Sequence, residues 1–383
     1  MDIPLAGARR SRHVRRTPLA LSGGARRLTL NDGLAELDTL GDAWDMLLER
    51  TPTPFLTREW LAAWWEAFGA GTPVVATLRD DDGSLAAAAV LRRVRGGLAA
   101  AANVHSGDWD VVSCDDGARI ELWHELAGLG CARLALSGLR SDDAGGAGIA
   151  AAELDAAGYR SFALTERESP FLRLPGSWDE LLAQRSSNLR QQWRRRRRRL
   201  ERAGVLTFRV TTDRAALEDD FDAFLRVEAS GWKGQRGTAI ASDPRTLGLY
   251  YGFAQAAADR GWLRLYLLEL DGQALAADLG CAIGDTGFLV KTGFDMDAAH
   301  YSPGLVLRGD VLQASIDEGL RGYDFLGGPD AYKLRWCDEL RPRVALHAGR
   351  GPIGLPLASY RGAVRPALGR VRARLRTRSA TGD

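Results

Sequence analysis

Apolar and polar positions along the first half of the chain predict a mixture of strands and helices. RLTL (27–30) is typical of a strand, and DAWDMLLER (42–50) and TREWLAAWWEAFG (57–69) have the 3.6-residue period of amphipathic helices. VVATLRD (74–80) and LAAAAVLRRV (85–94) flank the turn residues DDDGS, which predicts a β-hairpin. We expect WDVVS and ARLALSGL to be strands, with a helix over ARIELWHELAGLG. This half is therefore α/β with antiparallel pairing.

The second half repeats this pattern. One long helix is predicted over 177–204, then strand LTFRV and helices over 214–232 and 244–261. Residues 262–295 alternate strand and turn as a three-stranded meander, followed by a helix and the strand YDFLG (323–327). From about Glu339 we expect loop, ending in an arginine-rich tail.

These elements predict an α/β (α+β) protein of two tandem domains, each with a mixed, largely antiparallel central sheet flanked by helices. GAGIAAAELDAAGYRSFAL and LVLRGDVLQASIDEGLRGYDFLGG share the order helix, Gly-Tyr, strand, although chance could also produce this echo. The expected limits are 1–26 for a disordered basic arm, 27–175 and 176–345 for the domains, and 346–383 for the tail.

Composition limits the function classes. The 383 residues are 45% hydrophobic and carry a formal charge of +2, so no overall field indicates a polyanion partner. The four cysteines lack C-x-x-C spacing, which favours buried, reduced thiols. No apolar run is long enough for a signal peptide core or a membrane span, so we expect a cytoplasmic protein.

The segment HYSPGLVL contains a helix start that is suited to phosphate. Ser302 is a good N-cap, Pro303 fits the first helical position, and Gly304 allows close approach of another group. Free N–H groups and the positive end of the helix dipole would favour an anion. The alternative is that Ser-Pro-Gly serves only to start a helix.

LVKTGFD, YSPGLVL, GYDFLGG and YKLRW, in this order, resemble GNAT-like acyltransferases of the CelD and BioF2-like type, which are relatives of the FemABX transferases. SSNLRQQWRRRRRRLERAG and EASGWKG extend the resemblance. It covers residues 180–337 well and residues 50–175 loosely. These enzymes are associated with cellulose or exopolysaccharide genes.

The resemblance implies two GNAT-like domains and acetyl-CoA or another acyl-CoA as co-substrate, with no metal. The thioester would lie between diverging strands GFLVKTGFD and YDFLGG, beside Lys291. The pyrophosphate would lie on a loop containing Tyr301, Ser302, Gly304 and Leu305. The chain departs from the GNAT signature Q/R-x-x-G-x-G/A, which leaves the acyl carrier open.

Two residues are candidates for acid–base chemistry. Tyr332 matches the place where many GNAT enzymes hold a tyrosine that protonates the leaving thiolate, and the alternative is a structural tyrosine packed against Trp336. Glu228 is the candidate base or amine anchor, and the alternative is a solvated or paired helix carboxylate.

The three lysines, against 48 arginines, all lie in motif-like positions. Lys333 and Lys233, with Trp232 and Arg190, are the candidates for substrate binding. A compact ammonium differs from a planar guanidinium, so retained lysines suggest sites that need that shape. A lysine paired with Asp330 or Asp338 would look the same in sequence.

Residues 194–199 are six consecutive arginines on a helix whose narrow apolar stripe is Leu189, Trp193 and Leu200. We expect most of the six to be solvated, and a functional role would be binding a phosphate-bearing partner. The arginine-rich tail is expected to be disordered, with weak peripheral membrane contact as the alternative.

We therefore predict an acyltransferase that moves an acyl group, acetyl first, from acyl-CoA to an amine or hydroxyl of a small or sugar-containing acceptor. One alternative is a Fem-like transferase that depends on aminoacyl-tRNA, although the chain has no room for the long coiled-coil arm and nucleic acid is otherwise not expected. The other is a non-catalytic accessory or scaffold protein of a polysaccharide system.

Overall fold

A computed structural model describes residues 26–141, 146–230, 237 and 239–359. The first half of the fold runs from β1 to β7 and contains β1 Arg27–Asp32, α1 Ala35–Leu48, α2 Arg58–Phe68, β2 Pro73–Arg79, β3 Leu85–Val94, β4 Gly97–Ala100, β5 Val112–Ser113, α3 Asp116–Gly128, β6 Arg133–Arg140, α4 Ala147–Ala156 and β7 Arg160–Arg173.

The second half contains α5 Trp178–Gln184, α6 Ser187–Ala203, β8 Leu206–Thr211, α7 Leu217–Ser230, α8 Pro244–Asp259, β9 Leu263–Leu270, β10 Gln273–Ile283, β11 Thr286–Phe294, α9 Pro303–Asp317, β12 Gly322–Asp324, α10 Ala331–Leu334, β13 Glu339–Gly349 and α11 Gly351–Ser359. The hairpin β2–β3 and the meander β9–β11 are confirmed.

The two halves repeat one element order, which confirms the predicted α/β class. Apart from the short β5, both β1–β7 and β8–β13 run strand, two helices, three strands, helix, strand, helix, strand. By this order α9–β12 is equivalent to α3–β6. The sequence echo instead compares α9–β12 with α4–β7, which is the next helix and strand of the first half. The echo therefore does not align equivalent elements.

All the strands form one mixed sheet. Its order is β1-β2-β3-β4-β6-β13-β7-β12-β11-β10-β9-β8, with β5 on β3. The two halves exchange their last strands, because β13 pairs with β6 and β7 pairs with β12. The exchanged strands also pair with each other along their length, which joins the halves through backbone hydrogen bonds.

Strand β13 corrects the expectation of loop after Glu339 and of a tail from residue 346. Its eleven residues lie at the centre of the sheet. Arg343 on this strand is 1% exposed and forms ion pairs with Asp108 of the first half and Asp324 of β12. The arginine-rich segment from residue 360 onward and the basic arm before residue 26 lie outside the described residues.

Other local predictions need correction. The single helix over 177–204 is two helices, because Ser186 interrupts it and caps α6 by accepting from the Leu189 N–H at 3.3 Å. Within WDVVS, Val112–Ser113 is the strand, and YDFLG ends as a strand at Asp324. Cys114 is exposed and Cys281 is buried, so the expectation that all four free thiols are buried is wrong.

Hydrophobic core lies on both faces of the sheet. Trp60 of α2 packs edge-on against Tyr250 and Phe253 of α8, with ring centroids 6.1 and 5.0 Å apart, and so joins the halves on one face. On the other face, Leu189, Trp193 and Leu200 are buried as their spacing predicts. Among the described residues no helix is long and apolar enough to cross a membrane.

Candidate functional site

A cavity opens where β11 and β12 separate. The two strands are parallel and pair only along Thr286–Phe288 and Gly322–Asp324. β11 continues to Phe294 on its other edge, paired with β10. Beyond Phe288 its first edge therefore has no ladder partner on β12, so backbone groups face the space between the strands.

The cavity has a volume of about 700 Å³. Its walls come from the end of β11, the start of α9, the loop after β12 and α10, with one residue from α7. The lining residues are Glu228, Leu289, Val290, Lys291, Thr292, Gly293, Phe294, Met296, Ala299, Ser302, Pro303, Gly304, Leu305, Arg308, Phe325, Leu326, Gly327, Asp330, Tyr332, Lys333, Arg335 and Trp336.

The start of α9 leaves its first turn open to a ligand. Ser302 has a left-handed backbone, with φ 58° and ψ 52°, and its side chain makes no capping hydrogen bond. The prediction that Ser302 caps the helix through its hydroxyl is therefore wrong, whereas Pro303 does begin the helix. A Cβ on Gly304 would lie 3.8 Å from Phe294, so this position has ordinary space.

Lys333 holds the loop that forms one wall of the cavity. It is 5% exposed, and its Nζ donates to the carbonyls of Leu326 at 2.8 Å and Gly328 at 3.2 Å and pairs with Asp330 at 3.0 Å. Burial lowers its pKa, and the hydrogen bond with Asp330 opposes this. All three ammonium protons have partners, which explains a lysine here and bears out the pairing alternative with Asp330.

Tyr332 lies at the cavity wall with 40% of its surface exposed. Desolvation raises the pKa of its phenol above the ordinary value of 10, so the hydroxyl is a proton donor at neutral pH. Arg308 lines the same cavity and is 2% exposed, paired with Asp278 at 2.8 Å and donating to the Tyr323 hydroxyl at 3.1 Å.

Glu228 reaches the cavity from α7. Its side chain is 3% exposed, and Oε2 accepts from the backbone N–H of Ile240 at 2.9 Å. The helix approaches β11 closely at Gly293, where a Cβ would lie 2.6 Å from the Cα of Glu228. Glycine at this position therefore brings the carboxylate to the strand.

Outside the cavity lining, a loop of the first half contacts the second half through a histidine, and the sequence did not predict this contact. His105 Nδ1 lies 3.0 Å from the hydroxyl of Tyr250, and the Nζ of Lys291 lies 4.9 Å from the ring centroid of the same tyrosine. Burial and then the charge of Lys291 lower the pKa of His105 to about 4, so the imidazole is neutral at pH 7. No local motif marks this contact, which spans 145 residues.

The structure brings most of the predicted site residues together. Seven of them line the cavity: Glu228, Lys291, Ser302, Gly304, Leu305, Tyr332 and Lys333. Tyr301 and Arg190 do not line it. Tyr301 lies 5.0 Å below the guanidinium of Arg199, and Arg190 donates to the carbonyls of Leu182, Ala183 and Arg185 at the end of α5. Trp232 and Lys233 lie outside the described residues.

Helix α6 packs beside this site. The ring of Trp193 lies against Gly309 of α9, where a Cβ would be 2.1 Å from Nε1, and Nε1 donates to the Val306 carbonyl at 3.4 Å. Arg197 pairs with Asp310 of α9, whose pKa is raised by burial to about 6. Within the described residues, no group of three His, Cys, Asp or Glu could hold a metal ion.

Comparison with known proteins finds a family match over the part of the chain that forms the cavity. Residues 187–334 match the family model described as an acetyltransferase (GNAT) domain. That range includes every residue of the cavity wall except Arg335 and Trp336. No curated protein matches the chain.

Several solved structures share the fold. The C-terminal domain of a provisionally named lysylphosphatidylglycerol synthetase from Agrobacterium fabrum aligns with TM-score 0.52 and 17% identity over 83% of this chain and 93% of that one. FemX aligns with TM-score 0.52 and 12% identity, over 75% and 90%. A conserved protein of unknown function from Bacteroides thetaiotaomicron aligns with TM-score 0.51 and 14% identity, over 85% and 100%. At these identities the likeness shows the fold alone.

Residues 187–334 therefore match a GNAT-type acetyltransferase domain, and this match confirms the prediction of an acyltransferase. The finer resemblance to the CelD and BioF2-like type stays a prediction.

Proposed function

We propose that the second half transfers an acyl group from acyl-CoA to an amine or hydroxyl of a small or sugar-containing acceptor, as the CelD and BioF2-like resemblance implies. Acetyl is the first candidate for the acyl group. The observation that supports this most directly is the cavity between β11 and β12, with an uncapped helix start on one side and Glu228 on the other. Cytoplasmic location and a role in exopolysaccharide or cellulose synthesis stay predictions.

The residues present fit an acyl-CoA donor. The first turn of α9 has no side-chain cap and has space at Gly304, which suits the pyrophosphate, with Ser302 and Leu305 beside it. A backbone N–H on the unpaired edge of β11 would hydrogen-bond the thioester carbonyl and stabilise its oxyanion. Lys291 projects from that strand.

Glu228 and Tyr332 divide the proton transfers. Glu228 accepts a proton from the acceptor amine as its nitrogen attacks the thioester carbonyl and the new C–N bond forms. Tyr332 donates its phenolic proton to sulfur as the C–S bond breaks, so that the thiol leaves neutral. Trp232, Lys233, Tyr301 and Arg190 stay candidates from sequence. Lys333 acts in this scheme by holding the wall rather than by touching the acceptor.

A second candidate donor is aminoacyl-tRNA. The exposed guanidinium groups of Arg194, Arg195 and Arg198, which have no hydrogen bond or ion pair with other described residues, favour it. Stabilisation by acetyl-CoA in a thermal-shift assay supports the first function, and stabilisation by charged tRNA alone supports the second. A non-catalytic scaffold would respond to neither, and mass spectrometry of co-purifying molecules would then show no acyl carrier.

A further inference from the structure

The six arginines of α6 are divided between two sides of the helix. At 100° per residue, Arg195, Arg196 and Arg199 lie on the side that also carries Gln192. Arg194 lies on the other side of the buried stripe, and Arg198 lies on the solvent-facing back of the helix, about 60° from Arg195 and farther from Gln192. Arg197 is the sixth, and its charge is balanced by Asp310 and by Glu201, the latter at 3.1 Å.

The Gln192 side of α6 borders the mouth of the cavity. Arg196 and Arg199 both donate to the carbonyl of His300, at 3.0 and 3.1 Å, in the short turn that leads into α9. Ala299 and Ser302, on either side of that turn, line the cavity. Gln192 accepts from Arg335, a lining residue, at 2.7 Å.

Charge at this mouth favours an anion. Arg196 and Arg199 are bonded to a neutral carbonyl, so their positive charges are not cancelled by it. Arg195 is exposed, has no hydrogen bond or ion pair with other described residues, and lies one turn from both Gln192 and Arg199. Among the lining acids, Asp330 is already paired with Lys333.

We propose that Arg195, Arg196 and Arg199, with Arg335, form a phosphate-binding edge of the donor site that recognises the diphosphate of a small-molecule acyl carrier. This inference rests on the proposed function and names the part of the donor that is recognised. Guanidinium groups suit phosphate oxygens through charge-assisted, often bidentate, hydrogen bonds. Because the three residues cover about one turn beside a cavity, the edge matches a compact ligand rather than an extended nucleic acid.

The test compares two donors and two double variants. Acetyl-CoA carries the phosphates and S-acetylpantetheine lacks them, and binding of each is measured by calorimetry at low and moderate salt. Arg195→Gln with Arg199→Gln removes charge at the mouth, and Arg194→Gln with Arg198→Gln removes the same charge from the far side. Unfolding midpoints check that both variants fold. The single Arg195→Gln removes no hydrogen bond or ion pair between described residues.

We expect the mouth variant to weaken acetyl-CoA binding by about tenfold or more and Arg195→Gln to weaken it less, since each charged hydrogen bond contributes measurably. The far-side variant should bind acetyl-CoA with an affinity within about twofold of wild type. The affinity for S-acetylpantetheine should be unchanged in both double variants. Equal losses in the two double variants, or none, would overturn the phosphate edge while leaving an acyl-CoA transferase intact. Binding of neither donor by the wild type would overturn the proposed function as well, as would a response to charged tRNA alone.

Discussion

The two halves of the molecule share one topology but differ in what fills the space beside their parallel strands. In the first half β4 pairs with β6 along Gly97–Ala99 and ends at Ala100. Beyond that point Trp109 occupies the position beside β6. Its backbone N–H donates to Gly138 at 3.0 Å, its indole donates to Val90 at 2.8 Å, and it is 1% exposed. In the second half the equivalent space is the cavity.

The two equivalent helix starts also differ. Asp115 caps α3 by accepting from the Ala118 N–H at 2.7 Å, and this hydrogen bond lowers the pKa of its carboxyl. A carboxylate of the protein therefore lies where an anionic ligand of the first half would bind. The start of α9 has no such side chain. The same arrangement of strands and helix is therefore closed by a buried tryptophan and a capping aspartate in the first half and left open in the second.

The largest expected effect concerns the phenol in the second half. Tyr332→Phe should lower kcat by on the order of 100-fold or more, because it removes the proton donor for the leaving thiolate, while the Kd for acetyl-CoA stays the same. Tyr159→Phe is the matched change in the first half, where the hydroxyl donates to the Cys131 carbonyl at 2.7 Å, and it should leave the rate unaltered. Steady-state kinetics decide, and full activity of Tyr332→Phe would remove this tyrosine from the chemistry.

Trp109→Ala tests the filled space of the first half. Loss of a fully buried tryptophan should reduce the free energy of unfolding by about 3–5 kcal/mol, measured by urea denaturation. Trp109→Phe should cost less and serves if the alanine variant does not fold. We expect neither variant to gain a second acetyl-CoA site, because Asp115 still caps α3. A loss below about 1 kcal/mol would show that Trp109 is not a packing element.

Lys333 tests the wall of the cavity. Lys333→Met would leave the buried carbonyl of Leu326 without its Lys333 donor and should cost about 1–3 kcal/mol of unfolding free energy. The Gly328 carbonyl would still accept from the backbone N–H of Asp330 at 2.9 Å. Lys333→Arg should also destabilise, because a planar guanidinium cannot reproduce the three directions of the ammonium. If the arginine variant unfolds at the same urea concentration as wild type, a positive charge alone is sufficient at this position.

The smallest effect is a pH dependence at the contact between the halves. The folded-state pKa of His105 is about 4 and its ordinary value is 6.5, so the unfolded chain takes up a proton first as pH falls. Its contribution to stability is complete above pH 6.5 and is lost between pH 6.5 and pH 4. His105→Gln should flatten this part of the curve of urea midpoint against pH. An unchanged slope would place the titration on another group.

Local patterns in the sequence were sufficient for the elements that contact their chain neighbours. The turn residues of β2–β3, the alternation of β9–β11, the stripe of α6 and the Pro303 helix start all appear in the structure. Predicting the open site required more than local patterns, because the separation of β11 and β12 was inferred from the family resemblance and not from periodicity.

Long-range pairing could not be predicted in the same way. Strand β13 contains Pro342 and two arginines, which favour loop. It is a strand because β6 and β7 flank it and because Asp108 and Asp324 neutralise Arg343. Tyr250 lies 145 residues from His105 in sequence, and Asp108 lies 235 residues from Arg343. Composition singled out Lys333 as a candidate for substrate binding, and in the structure its ammonium bonds carbonyls of its own loop.

The most direct test of the account is the number of acetyl-CoA sites per chain. Gly304 and Gly117 are the second residues of α9 and α3, so Gly304→Glu and Gly117→Glu place the same charge at the two equivalent helix starts. Calorimetry should find one site in the wild type, affinity reduced by about 100-fold in Gly304→Glu, and binding retained in Gly117→Glu. Two sites per chain, or binding that survives Gly304→Glu but is lost in Gly117→Glu, would contradict the assignment of the donor to the second half.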